Sequence, residues 1–251
     1  KDGTYVRNFD TTDKGHDLCL IGDRIAIGFG TNHRVRIYET NGTLVTTIGT
    51  GSTGSGDGEF NKPYFVGADG SGNLLVVDSE NQRVQVFDAG GSFVRKFGSL
   101  AKFGIEPRDL VVAPNGNLIF SEGSDDRIIE VDENGTYVRH FGGYGSGDGQ
   151  LKEPNQLAFA PNGNLHVAEY DNHRISIFTR DGEFVKTFGS NGTGDGQFKK
   201  PTGVTVATNG EIFVGDDDNH RIQVFDSNGT FLRKWGSYGN LEGQLDHPKY
   251  L

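Results

Sequence analysis

Methionine is missing from the chain, and cysteine and tryptophan occur once each. A single cysteine cannot build an internal disulfide framework or a thiolate metal cluster. No apolar run approaches the roughly 18 residues of a membrane-spanning helix, so membrane insertion is not expected. No segment sustains a 3.6-residue apolar period for ten residues, which argues against helices. Positive charge is in deficit, with 24 Lys and Arg against 34 Asp and Glu, a net charge of -10. That balance argues against general affinity for phosphate backbones, and no nucleic-acid partner is expected. The opening Lys1-Asp2-Gly3 is turn chemistry and does not read as a signal peptide. The missing initiator suggests a processed chain or an excerpt.

What the chain has is repetition. GDGQFKKPTGVTVATNGEIFVGDDDNHRIQVFDSNGTFLRKWGS, from Gly194, follows GDGQLKEPNQLAFAPNGNLHVAEYDNHRISIFTRDGEFVKTFGS. An arginine marks one point in every copy: Arg34, Arg83, Arg127, Arg174 and Arg221. The spacings are 49, 44, 47 and 47 residues. A fixed period in this range means a stacked or radial array. Within each copy, short β-branched runs (Val204–Val206, Ile212–Val214, Ile222–Phe225, Thr230–Trp235) alternate with Asn-Gly and Asp-rich turns. Each copy therefore reads as four antiparallel strands, A to D, the unit of a β-propeller blade.

Five copies are complete, at approximately 11–49, 59–98, 103–142, 150–189 and 197–236. The ends match only pieces of a sixth: residues 1–9 resemble strand D and residues 244–251 the start of strand A. The expected fold is all-β, a single-domain six-bladed propeller over 1–251. One blade would be split between the termini and lack its B and C strands. Val66, Leu74, Val76, Val84, Val86 and their equivalents are the expected core.

The copies resemble the NHL repeat. The matching residues are Asn32-His33-Arg34, Asn81-Gln82-Arg83, Asn172-His173-Arg174 and Asn219-His220-Arg221, with Asp125-Asp126-Arg127 degenerate. The Gly-Asp-Gly-Gln-Phe lead-in and the closing Phe-Gly also fit. The resemblance implies a six-bladed propeller and leaves function open. NHL propellers occur in RNA-binding proteins, receptor-kinase sensor domains, a metal-dependent peptide-amidating lyase and cell-surface adhesion proteins.

An acid precedes the marker Arg by five positions in four copies: Asp78, Glu122, Glu169 and Asp216. Across a B–C hairpin the two would pair, contributing roughly 0.2–1 kcal/mol. The first copy has Phe29 there and keeps Arg34, so the Arg needs further partners, expected to be carbonyls of an adjacent blade. Recurrence makes these residues, with His33, His173 and His220, scaffold. The acids and the Gly-Asp-Gly residues Asp57, Asp148 and Asp195 share one end of the blades. They are expected to form an acidic loop face able to attract a cationic peptide or Ca²⁺.

Histidines that break the repeat are candidates for chemistry: His16, His140, His166 and His247. His16, His166 and His247 are candidate metal ligands, with His16 and His247 flanking strand A starts. An amidating-type lyase is one alternative function and RNA binding another. Strand D carries the basic residues, among them Arg95, Lys96, Arg139, Lys186 and Lys234, which blunt an outer edge. Cys19, within Leu18-Cys-Leu-Ile, reads as a buried thiol. Asn41, Asn134, Asn191 and Asn228 each open an Asn-Gly-Thr sequon. The expected role is a non-enzymatic interaction or scaffold module, extracellular or at the cell surface. It would bind protein, peptide or glycan partners, or self-assemble into an oligomer or filament through the split blade.

Overall fold

The computed structural model describes residues 13–98, 107–249 and 251. It holds five antiparallel sheets of four strands each, in chain order within every sheet. The first blade is β1 to β4 (Asp17–Ile21, Arg24–Phe29, Arg34–Glu39, Leu44–Ile48). The second is β5 to β8 (Pro63–Ala68, Leu74–Asp78, Arg83–Phe87, Phe93–Phe97) and the third β9 to β12 (Pro107–Val112, Leu118–Glu122, Arg127–Val131, Tyr137–Gly142). The fourth is β13 to β16 (Pro154–Phe159, Leu165–Glu169, Arg174–Phe178, Phe184–Phe188) and the fifth β17 to β20 (Pro201–Val206, Ile212–Asp216, Arg221–Phe225, Phe231–Trp235). Among the described residues there is no α-helix, and none of the helical turns is long and apolar enough to cross a membrane. The protein is all-β, with five four-stranded β-propeller blades.

The chain divides into two compact units. One contains Phe120–Ile129 and Arg139–Leu251. The other contains the described residues up to 119 together with Glu130–Val138. Blades four and five lie in the first unit and blades one and two in the second.

Alternation places the core. In β6 and β7, Leu74, Val76, Val84 and Val86 are buried, and Val66 joins them from β5. Phe60, Phe87, Phe198 and Phe225 have no exposed surface. Burying one such side chain contributes about 1.5–3 kcal/mol. Phe198 and Phe225 lie 5.4 Å apart, centroid to centroid, and Phe188 of blade four meets Phe225 at 5.0 Å.

The Asn-Gly turns show why glycine recurs. In Asp226-Ser-Asn-Gly, Gly229 N–H donates to Asp226 C=O and takes φ 79°. A Cβ there would sit 2.7 Å from Phe188 of the preceding blade. Gly135 against Phe97 and Gly182 against Phe141 repeat this contact. The glycine serves a left-handed backbone and a close approach between blades at once. Asp226 Oδ1 accepts from the N–H groups of Asn228 and Thr230, which holds its carboxyl below the usual range.

The expected sixth blade is not shown among the described residues. Residues 1–9 lie outside the described residues. Of 244–251, the described residues form no strand, only a bridge between Tyr238 and Leu245. A strand A is held by its strand B, and among the described residues no strand pairs with this segment. The segment still follows blade five closely. Pro248 C=O lies 2.6 Å from a Cβ placed on Gly215, as Pro63 C=O lies 2.8 Å from one on Gly28. Gln156 Oε1 accepts from both Val204 N–H (3.0 Å) and Leu251 N–H (3.2 Å).

Candidate functional site

Every strand B to strand C turn is built around a carboxylate. In blade five, Asp216 and Arg221 are cross-strand partners, and Arg221 Nε donates to Asp216 Oδ2 at 2.7 Å. Asp216 has no exposed surface. It also accepts from Asn219 Nδ2, Gln223 Nε2 and Lys199 N–H. The two Nη groups of Arg221 donate to the carbonyls of Thr193, Gly194 and Gln197, and Asn219 donates to Gly192 C=O. One guanidinium thus ties the hairpin to the loop entering its own blade. Its planar fork suits this, since the donors diverge in fixed directions.

The knot recurs with Asp78, Asn81 and Arg83, and with Glu169, Asn172 and Arg174. Arg83 reaches the carbonyls of Ser55, Gly56 and Glu59, and Arg174 those of Ser146 and Gln150. In blade three, Glu122 pairs with Arg127 at 3.3 Å and Asp125 adds a second carboxylate at 2.9 Å. The carbonyl partners thus belong to the loop between blades, which leads into the arginine's own blade.

The middle residue of the turn faces the next blade. His33, His173 and His220 take φ 49°, 54° and 53°. Their Nδ1 atoms accept from the N–H of Lys62, Lys200 and His247 at 3.2, 3.0 and 3.3 Å. Asp126 does the same for Glu153 N–H.

The expected acidic loop face is corrected for four of its seven acids. Asp78, Glu122, Glu169 and Asp216 are fully buried, each beside a guanidinium. Asp57 and Asp195 pair with Lys96 and Lys234. Asp148 is exposed. Carboxylates that are buried and paired hold the fold and do not present charge to a ligand.

The repeat-breaking histidines fall into different surroundings. His16 stands just before β1, with its ring 4.7 Å from that of Tyr64 in the next blade. His140 is exposed on β12. His166 is 3 % exposed in β14, where burial pushes its pKa down to about 4. It borders a cleft of about 300 Å³ between blades four and five, lined also by Pro161, Asn162, Thr208, Asn209 and Ser227. His247 lies at the other end of the strands, where its Nδ1 meets Asp217 Oδ1 at 2.8 Å. His16 and His247 belong to different compact units.

Sequence reasoning missed two arrangements. Asp17 is buried, and burial with the nearby Asp109 pushes its carboxyl well above the usual range. It accepts from Val66 N–H of the next blade at 2.9 Å, as Gln156 does from Val204. An acid on an otherwise apolar strand A was the available signal. Burial also pushes the Cys19 thiol strongly up, with Asp17 adding to the effect, which keeps it protonated. The second arrangement, around His220 and His247, depends on residues that lie in different copies of the repeat.

Strand D cations also have partners. Arg95, Arg139 and Lys186 donate to the carbonyls of Glu133, Asp181 and Asn228 in the turns of following blades. The loops between blades differ, because they expose large apolar groups: Tyr144 and Tyr238 are 69 % exposed and Leu241 70 %. Asn41, Asn134, Asn191 and Asn228 are all exposed.

A sequence profile of the NHL repeat matches residues 60–87 and 198–225. Protein lin-41 of Caenorhabditis elegans is 38% identical over 63 residues, 25% of this chain and 6% of that protein's length. This chain therefore corresponds to a small part of that relative. Among solved structures, the virginiamycin B lyase of Staphylococcus aureus has a TM-score of 0.65 at 14% identity, covering 90% of this chain and 71% of that one. A chain of a nidogen/laminin complex has a TM-score of 0.67 at 18% identity, covering 88% and 79%. Likeness at this identity shows the fold.

Proposed function

For a chain that belongs to the NHL-repeat family, we propose a non-enzymatic binding role, with a protein or peptide held on the loops between blades. The observation that carries it is the exposure of Tyr144, Tyr238 and Leu241 on equivalent or adjoining stretches of those loops. Exposed aromatic residues on rigidly anchored loops are enriched at interfaces. The loop of Tyr144 is anchored by Arg174, and the loop of Tyr238 and Leu241 is closed by backbone bonds between Leu245 and both Ser237 and Gly239, so a partner meets a surface with little ordering entropy left to lose. The repeated charges are meanwhile occupied inside the scaffold.

The test is selection of ligands from a displayed peptide library and a glycan array, followed by a Tyr144→Ser, Tyr238→Ser, Leu241→Ser triple variant. A selected peptide that loses binding to the variant by at least about tenfold, while the unfolding midpoint stays put, supports the reading; each deeply buried aromatic contact carries 1 kcal/mol or more. Binding that survives the triple variant places the surface elsewhere and overturns it. Selection of glycans alone replaces the peptide by a sugar.

Localisation outside the cell is part of the proposal. The exposed sequons at Asn41, Asn134, Asn191 and Asn228 support it. An intact mass from the natural source with no added hexose overturns it.

One observation favours a second reading, lyase activity. The ring contact between His16 and Tyr64 puts a base and a phenol together at the start of strand A. Loss of a measured eliminating activity in both His16→Ala and Tyr64→Phe would establish it, and turnover unchanged in both would remove it.

A further inference from the structure

The junction after blade five differs chemically from the junctions before it. The two residues preceding the strand A proline are Asn61-Lys62, Lys152-Glu153 and Lys199-Lys200 at earlier junctions and Asp246-His247 at the last. The turn they face changes as well. Ser79 and Tyr170 follow the buried acid in blades two and four, whereas Asp217 follows it in blade five. Where one junction carries two ammonium groups, the last brings together two imidazoles and three carboxylates.

The donors converge. One atom each from His220, Asp246 and His247 lies within 4.8 Å of the others. His220 Nδ1 is 3.6 Å from Asp246 Oδ1, and His247 Nε2 is 3.9 Å from the same oxygen. The two imidazole rings are 4.5 Å apart. Around a tetrahedral ion with bonds of about 2.0–2.1 Å, neighbouring ligand atoms stand roughly 3.3–3.4 Å apart. The two separations to Asp246 exceed this by about 0.2–0.6 Å, and the two imidazole donors stand within 4.8 Å of each other.

The tautomer of His247 favours this use. Asp217 is 3 % exposed and its Oδ1 lies 2.8 Å from His247 Nδ1. A carboxylate only accepts, so in the neutral ring the proton sits on Nδ1 and Nε2 keeps its lone pair. A carboxylate behind a ligating histidine orients the ring and raises its basicity. His220 Nδ1 accepts the amide of His247 at 3.3 Å, the longest of the three equivalent bonds. An ion would take over that lone pair.

We propose that His220, Asp246 and His247 bind one divalent transition-metal ion of the zinc class, with Asp217 as the positioning residue behind His247. The ion would staple the turn of blade five to the segment that runs on to Leu251. Two imidazoles with one carboxylate suit zinc rather than calcium, which takes six to eight oxygens.

The experiment is titration of the untagged, metal-stripped chain with Zn²⁺ by calorimetry, and with Co²⁺ by absorption. One equivalent should bind, and Co²⁺ should give a tetrahedral spectrum. His247→Ala and Asp246→Ala should each weaken binding by more than about a hundredfold, and Asp217→Asn by about 10–100-fold. His173→Ala, at the turn whose junction carries Lys199-Lys200, should leave binding unchanged. The substituted residues at 246 and 247 are largely solvent-facing, so circular dichroism should show each variant folded. Binding of equal strength in His247→Ala, saturation by Ca²⁺ but not Zn²⁺, or no saturable binding overturns the proposal.

Discussion

Blade five and blade one solve the same problem with carboxylates from different places. In blade five the partner of Arg221 is Asp216, at the end of strand B and sealed from solvent. In blade one that position is Phe29, also fully buried. Asp13, from the segment leading into the blade, pairs instead with Arg34 at 2.5 Å and Arg36 at 2.8 Å, and accepts from Asn32. Arg36 stacks over the Phe29 ring at 5.3 Å. The difference teaches that the turn requires a carboxylate at a point in space, not at a point in the repeat. Asp13 can supply it because its side chain is 14% exposed and already lies against the guanidinium groups.

The comparison breaks most sharply if the carboxylates are removed one at a time. Asp216→Ala leaves Arg221 at 7% exposure with its Nε partner gone. Stability should fall by about 3–5 kcal/mol, the usual cost of orphaning a buried charge. Asp13→Ala should cost less, about 1–3 kcal/mol, because Arg34 and Arg36 retain some access to water. Denaturant unfolding of both variants checks the order, and an equal loss would mean burial does not set the cost.

A second prediction uses a buried group without a carboxylate. Leu75, Ile119 and Phe213 occupy the strand B position of His166. In the fold the His166 pKa is pushed down to about 4 by burial, from an ordinary value of 6.5. The folded chain thus binds fewer protons than the unfolded chain between these values. The stability present above about pH 6.5 is lost as pH falls toward 4. His166→Leu should remove that part of the acid slope and raise stability at pH 7 by about 1 kcal/mol, since the buried Nδ1 has no hydrogen-bond partner among the described residues. Thermal unfolding at pH 7 and pH 5 is the check, and an unchanged slope would exclude this imidazole as its source.

The smallest effect belongs to the exposed pairs. Lys234 and Asp195 lie at 2.5 Å, with side chains 43% and 53% exposed. Lys234→Ala should cost about 0.2–1 kcal/mol and less in high salt. A loss comparable to that of Asp216→Ala would erase the distinction between buried and surface carboxylates.

Much of the fold was legible because its signals are local. Strand alternation around Leu74 and Val84, and glycine at Gly229 and its equivalents, each depend on a few neighbouring residues. The pairing of Asp216 with Arg221 was legible too, since five residues across a tight hairpin leave little choice of partner. The candidate sites were less legible. Asp13 and Arg34 are twenty-one positions apart with no repeat to align them. His220 and His247 belong to different copies, so comparison of equivalent positions classed one as scaffold and made the other a candidate metal ligand with His16 in place of His220.

The sequence by itself determined the period, the all-β strand pattern, the turns and the blades, because hydrophobic alternation and turn chemistry act over a few residues. Only the tertiary structure decided which charges are spent and which donors meet. It buried four of the seven expected face acids beneath guanidinium groups, formed five blades among the described residues, and set His247 beside His220 and Asp217. Those outcomes depend on distances between separate segments of chain, set by blade packing and by exclusion of water. No local pattern encodes them.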